Sequence, residues 1–246
     1  MANHALAGLE IALRARKLDR TLTTALPSLE RRDESALIAT DVAALDACLQ
    51  GGLPRGQLSE IAGPHSSGRT TLILQVLGAS TRRGEIAALV DTFDRLDVAS
   101  AAAAGIDLDR LLWIRGSDCR FGPPKGGPDA FVNRALKALN LVLQAGGFAC
   151  VALDLADVPP VALTRIPFTT WLRVQRIIEG SDTACVLIAP QPLARSARGL
   201  TLSLTGRARW TGDADRNRHL TGADVTVRVV SPRRRVDGEV SLCVGQ

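Results

Sequence analysis

The sequence predicts an α/β protein with a mostly parallel central sheet, a β-rich C-terminal end and an amphipathic helix at its N-terminus. Three observations predict it. Short apolar runs alternate with helix-patterned stretches between residues 58 and 190, the order expected of parallel strands joined by crossover helices. The run EIAALVD (85–91) is apolar along most of its length, which suits a strand covered on both faces. A Gly/Ser-rich loop, GPHSSGRTT (63–71), falls between the first such run and the first long helical stretch.

Taken in order, residues 5–26 carry Leu6, Leu9, Leu13, Leu18, Leu22 and Leu26 at near-helical spacing, with Arg14, Arg16, Lys17 and Arg20 between them. This is an amphipathic helix. The charged segment 27–35 reads as a linker, so residues 1–35 form one unit and 36–246 the core domain. A short helix before residue 50 is stopped by Gly51, Gly52 and Pro54. Strands are predicted at 58–63, 85–91, 111–116, 148–155 and 184–190, with helices over 70–82, 96–105 and 131–145. A further helix opens at Pro167 and places Phe168, Trp171, Leu172, Gln175 and Ile178 along one face, with Trp171 in the core. The Gly/Pro-rich stretch 116–130 is a loop, and β segments are expected near 201–211, 223–230 and 238–244.

Composition removes several function classes. Apolar residues at 46% against 22% charged are those of a globular domain with a buried core. Tyrosine is absent and aromatics make up 3%, so the stacking platforms of a single-strand binder would be poorly supplied. Cys48, Cys119, Cys150, Cys185 and Cys243 contain no CxxC pair, and His4, His65 and His219 form no ligand set. Such cysteines suit buried positions in a reducing cytosol better than disulfides or a zinc site. No signal-peptide pattern and no bilayer-length apolar run is present, which predicts a cytoplasmic protein with no membrane partner. The net charge of +5 is concentrated late, in Arg207, Arg209, Arg216, Arg218, Arg228 and 233–235. Two readings stay open: weak, salt-sensitive, sequence-independent DNA binding, or a solvated basic surface.

The loop has the outline G-x-x-x-x-G-K-[ST], with Arg69 where the lysine belongs. Backbone N–H groups and the positive end of the following helix would face a phosphate there. Gly63, His65, Ser66, Ser67, Gly68, Arg69, Thr70 and Thr71 are its candidate contacts. Thr70 would offer a hydroxyl to Mg²⁺, and Asp154, at the carboxyl end of an apolar strand, would orient the ion's water. Arginine is charged like lysine, but its planar fork needs different space, so nucleotide binding is weakened rather than abolished. ATP with Mg²⁺, or no cofactor, are both compatible with these residues.

The segment LDACLQGGLPRGQLSEIAGPHSSGRTTLILQVLGAS resembles the Walker A region of bacterial RecA, and ALVDTFDRLDVASAAAAGIDLDRLLWIRG resembles RecA's next strand, helix and strand. The likeness continues more loosely through Asp154, VLIAPQ and VTVRVVSPRRR, so it runs from about residue 38 onward without a counterpart of RecA's separate C-terminal domain. It implies a RecA-like P-loop NTPase core. It also implies roles that this sequence fills imperfectly. Phe93 stands where RecA has its water-activating glutamate, and a phenyl ring cannot orient water. Asp94 follows, but on a strand it would point to the opposite face. Gln191 matches the γ-phosphate-sensing glutamine, between Pro190 and Pro192. Ser231 and Arg233 match two lysines that RecA presents to a neighbouring subunit.

Within RecA-like proteins, the basic N-terminal helix and RIPFTTWLRVQRIIEG (165–180) resemble the ImuA family, accessory proteins of bacterial mutagenesis cassettes. That resemblance implies an SOS-induced, non-catalytic role in translesion synthesis. The implied partners are RecA and an ImuB-type Y-family polymerase relative, with self-association through the N-terminal helix as a further reading. Little or no ATP hydrolysis is expected. The alternatives are a DNA-dependent ATPase of the recombinase type and an ATP-binding switch without turnover.

Overall fold

The structure, a computed structural model, describes residues 36–116, 127–194, 199–212, 217 and 219–231. The expected N-terminal helix and linker, Cys119, Cys243, Arg233 and the β segment at 238–244 lie outside the described residues. In chain order the described elements begin with β1 (Leu37–Ile38), α1 (Ala43–Leu49), β2 (Leu53–Pro54), β3 (Leu58–Ala62) and α2 (Arg69–Arg82). They continue through β4 (Ala87–Asp91), α3 (Val98–Ala103), β5 (Leu111–Arg115), α4 (Gly127–Ala145) and β6 (Cys150–Asp154). Last come α5 (Pro160–Thr164), α6 (Phe168–Ile178), β7 (Ala184–Ala189), β8 (Thr201–Thr211) and β9 (His219–Ser231).

Seven strands form one sheet in the order β5-β4-β6-β7-β3-β8-β9. All neighbours are parallel except the β8–β9 hairpin. The expected parallel sheet and β-rich end are therefore present. The sheet is covered on both faces, and the period of two along each strand assigns side chains to one layer or the other. Ala87 and Leu89, Cys150 and Ala152, and Val186 and Ile188 pack with Leu72, Val76 and Leu77 of α2. Their neighbours Ala88 and Val90, Val151 and Leu153, and Cys185 and Leu187 pack with α4, α5 and α6. Asp91 and Asp154 continue the α2-side parity and are paired across β4 and β6, so two carboxylates end side by side at the carboxyl edge of the sheet.

One local reading is corrected. On α6 the inward residues are Trp171, Val174 and Ile178, whereas Phe168 and Leu172 are 47% and 52% exposed. The apolar stripe is narrower than the spacing suggested. A one-turn helix, α5, begins after Pro159, with Pro160 at its first position, where the missing N–H costs nothing. The strand before Phe93 stops at Asp91, where its apolar run predicts, so Phe93 and Asp94 lie in the turn beyond it.

Cys150 and Cys185 are free and fully buried, and burial pushes the Cys150 thiol up to about 12. They pack as small hydrophobes. Among the described residues no group of three His, Cys, Asp or Glu could hold a metal, and no helix is long and apolar enough to cross a membrane.

Candidate nucleotide-phosphate site

β3 delivers the chain into the loop and α2 takes it out, so the loop is clamped between two buried elements. Ser66 and Gly68 have φ values of 60° and 88°, both left-handed, which folds the backbone back so that its N–H groups converge at the start of α2. A side chain at Gly68 would be strained, and its Cβ would lie 2.8 Å from Val225 Cγ2 on β9. The first N–H groups of this 14-residue helix have no intrahelical partner, and its N-cap makes no side-chain hydrogen bond.

Two polar atoms in the loop are buried without a partner: Ser67 Oγ and Arg69 Nη1. Both residues are almost fully buried, at 1% and 5% exposure. Burial lowers the Arg69 guanidinium below its ordinary range, while the charges of Asp154 and Asp157 oppose that shift. A buried cation and hydroxyl with unmet hydrogen-bonding capacity are costly unless a ligand completes them. They open onto a cleft of about 620 Å³.

The cleft brings together His65, Ser66, Ser67, Gly68, Arg69, Thr70 and Thr71 with Asp154. Gly63 lies at the root of the loop, its N–H donating to Ala189. Asp154 is half-buried on the sheet side, with Oδ1 accepting from the Ala156 N–H at 2.8 Å. Desolvation raises its carboxyl to about 6, with smaller contributions from Asp91 and Asp157, against the lowering effect of the Ala156 hydrogen bond and Arg69. Gln191 is exposed and does not line the cleft. A second cavity of about 190 Å³ lies between β5 and α4, but none of the orphaned polar atoms among the described residues lines it. The loop cleft is lined by two of them, Ser67 Oγ and Arg69 Nη1, whereas Gln57 Oε1 and Asn140 Oδ1 belong to residues outside it.

Phe93 is not at the cleft. The turn after β4 directs its ring into the opposite layer, 5.7 Å from the Phe131 ring and 9% exposed. Asp94 is in that turn, not on a strand, with φ 56°. Both of its carboxylate oxygens accept from Arg115, at 2.7 Å each. Neither residue can serve a water at the loop. Asp91 does face the cleft, but its carboxylate already accepts from the N–H groups of Arg95 and Leu96 and from Trp113 Nε1. Asp157 and Asp97 are further lining carboxylates that the sequence did not single out, and Asp157 sits 3.4 Å from Arg95. Their only sequence signal was position shortly after a strand.

Glu60 is a third missed residue. It is 1% exposed, and one oxygen accepts from the N–H groups of Leu193 and Ala194 at 2.7 and 2.6 Å. Its other oxygen accepts from Thr201 Oγ1 at 3.1 Å. A carboxylate in an apolar strand thus ties down the backbone just after Gln191. Glu60→Gln is expected to cost about 1 kcal/mol, because the charge-assisted bonds become neutral ones while the shape is kept. Chemical denaturation would show this as a lower midpoint at unchanged slope; an unchanged midpoint would refute the anchoring role. Of the late arginines among the described residues, Arg207 and Arg228 are exposed on the hairpin and Arg209 sits 3.3 Å from Asp224.

A parallel sheet with a phosphate-type loop after β3, and a carboxylate at the end of the neighbouring-but-one strand β6, defines a P-loop α/β protein. Residues 17–120 match the family model of the RecA N-terminal domain. Protein RecA of Desulfotalea psychrophila is 36% identical over 133 residues, covering 52% of this chain and 34% of that protein. Protein RecA of Clavibacter michiganensis is 34% identical over 151 residues, covering 55% and 38%. Protein RecA of Nostoc punctiforme is 49% identical over 75 residues, covering 30% and 21%. The chain spans about a third of the length of the first two of these relatives. The core is RecA-like.

The residues present fit a nucleoside phosphate. Ser67, Arg69 and the α2 N-terminus would take the phosphates, and Thr70 and Asp154 would hold a divalent ion, whose bound charge would neutralise the phosphate oxygens.

Proposed function

We propose that this chain is a RecA-like accessory factor that retains a phosphate-binding loop without an ATP-hydrolysing cycle and acts through its partners in DNA-damage tolerance. The observation that carries the reading is Phe93. The position that a RecA-type ATPase needs for its water-activating carboxylate is occupied by a ring packed on Phe131, on the far side of the sheet from the loop. Loss of such a group alone lowers turnover by about two to four decades. Arg69 adds a second departure at the same machinery, and the two need not add because they act on one transition state.

The resemblance to the ImuA family supplies the setting: an SOS-induced factor that engages RecA, an ImuB-type polymerase relative, or both. Binding without turnover, as in a nucleotide switch, is favoured over an empty loop by the orphaned Ser67 Oγ and Arg69 Nη1. A DNA-dependent ATPase of the recombinase type would have to give the glutamate's role to another lining carboxylate, Asp97 or Asp157, because Phe93 faces the opposite layer.

Steady-state ATP turnover in the presence of single-stranded DNA is expected at background. Affinity capture from DNA-damaged cells, with and without ATP, is expected to recover RecA or a polymerase-related protein. Turnover comparable with a working recombinase would overturn the non-catalytic reading, and recovery of neither partner would overturn the accessory role.

A further inference from the structure

We propose that the outer face of α6 is a docking surface for an acidic amphipathic helix of a partner protein. This rests on the accessory reading above for the existence of a partner, and adds the surface and the partner's chemistry.

α6 carries large apolar side chains on two faces, and the core uses one of them. Trp171, Val174 and Ile178 are buried beneath the helix. Phe168 and Leu172, four residues apart and so on one ridge, stay about half exposed. That ridge ends at Arg176, and the ridge beside it carries Thr169 and Arg173. Arg173 and Arg176 are exposed, and neither makes an ion pair among the described residues. Arg165, just ahead of the helix, is by contrast held by Asp129 at 2.6 Å. No carboxylate lies within α6, and Glu179 follows one residue past its end. The outer face is therefore apolar along one side and cationic along the other.

Those two sides specify the occupant. Single exposed apolar side chains are ordinary, whereas a pair on one ridge beside uncompensated charge has the anatomy of a small interface. A helix laid along α6 would cover Phe168 and Leu172 with its own apolar positions and meet Arg173 and Arg176 with Asp or Glu. A nucleic-acid backbone would use the arginines but gain nothing from covering Phe168 and Leu172. A second copy of this chain, at a net charge of +5, brings the same excess of cations, and like charges set against each other across an interface are unfavourable. An acidic amphipathic helix satisfies both sides at once. The contact spans one helix of 11 residues, at the small end of specific interfaces, so binding is weak and falls with salt.

The test is fluorescence anisotropy on the purified full chain with two labelled helical peptides and a single-stranded oligonucleotide. The peptides share one leucine pattern, flanked by glutamates in one and by lysines in the other. The glutamate peptide is expected to bind and the lysine peptide to stay free. Leu172→Ser, a surface change that leaves the fold intact, should weaken the glutamate peptide roughly tenfold. Arg173→Glu combined with Arg176→Glu should abolish its binding and admit the lysine peptide instead. No binding of the glutamate peptide to the parent chain, or binding that neither variant alters, would overturn the docking surface. An oligonucleotide that displaces the peptide, is lost with the arginine changes and is indifferent to Leu172→Ser would also overturn it, in favour of a nucleic-acid site. None of these readouts involves ATP turnover or capture of partners from cells, so this surface and the accessory reading can fail separately.

Discussion

Phe93→Glu, introduced with Arg69→Lys to rebuild a working ATPase, is expected to destabilise the domain and leave hydrolysis at background. Sequence comparison alone suggests the opposite, since the two changes restore the residues that a RecA-type site requires. The structure places residue 93 in the turn after β4, with its side chain among Phe131, Val90 and the α4 layer. Removing a buried phenyl ring costs about 3–5 kcal/mol. A carboxylate in its place adds desolvation, so it would either take up a proton or pull the turn open. Arg69→Lys is the milder half, because lysine keeps the charge at the head of α2. Urea denaturation of Phe93→Glu alone and of the pair would read the stability loss, and a steady-state assay with single-stranded DNA the turnover. A double variant as stable as the parent chain and turning over ATP faster would show that the turn can re-aim residue 93 at the loop.

Asp154→Asn is expected to stabilise the protein near neutral pH and to flatten its pH profile. The Asp154 carboxyl rises from 3.8 to about 6 in the folded protein, chiefly through desolvation. A carboxyl raised on folding holds its proton longer in the native state than in the unfolded chain. Below about pH 4 both states are protonated and Asp154 contributes nothing to the pH dependence. Between about pH 4 and pH 6 the unfolded chain ionises first, so stability falls as pH rises. Above pH 6 the whole penalty is present. The shift corresponds to at most about 3 kcal/mol, reduced by water entering from the cleft to about 1–2 kcal/mol. Asparagine keeps the acceptor for the Ala156 N–H and removes the charge, while Asp157 continues to face Arg69. Denaturation midpoints of both proteins from pH 4 to pH 8 would test this. A variant no more stable than the parent at pH 7, or parallel profiles, would refute it. A carboxylate kept at a cost to stability is what a ligand site tolerates, and Mg²⁺-dependent stabilisation in the presence of ATP should disappear in the same variant.

The two cases show where sequence reasoning reaches and where it stops. Strand–helix alternation needs only periodicity and length, and β3, β4, β6, β7 and β8 fall where their apolar runs predict. The loop needs only its glycines and its place between β3 and α2. Residues His65 to Thr71 and Asp154 line one cleft, Asp154 because the period of two puts it on the α2 side with Ala152. Gln191 was legible as a motif position but not as a placement: Glu60 holds the next residues down by their backbone, and position 191 is left exposed.

By itself, the sequence determined the fold class, the loop and the loss of a carboxylate at position 93, because these depend on local pattern and residue identity. Only the tertiary structure decided that Phe93 is core on the far face, that Asp94 is bound to Arg115, that Glu60 braces the segment after β7, and that Asp97 and Asp157 line the loop cleft. Each of those outcomes joins elements distant in the chain or hangs on a turn that re-aims a side chain, and a one-dimensional pattern carries no record of which face a chain presents once its strand has ended.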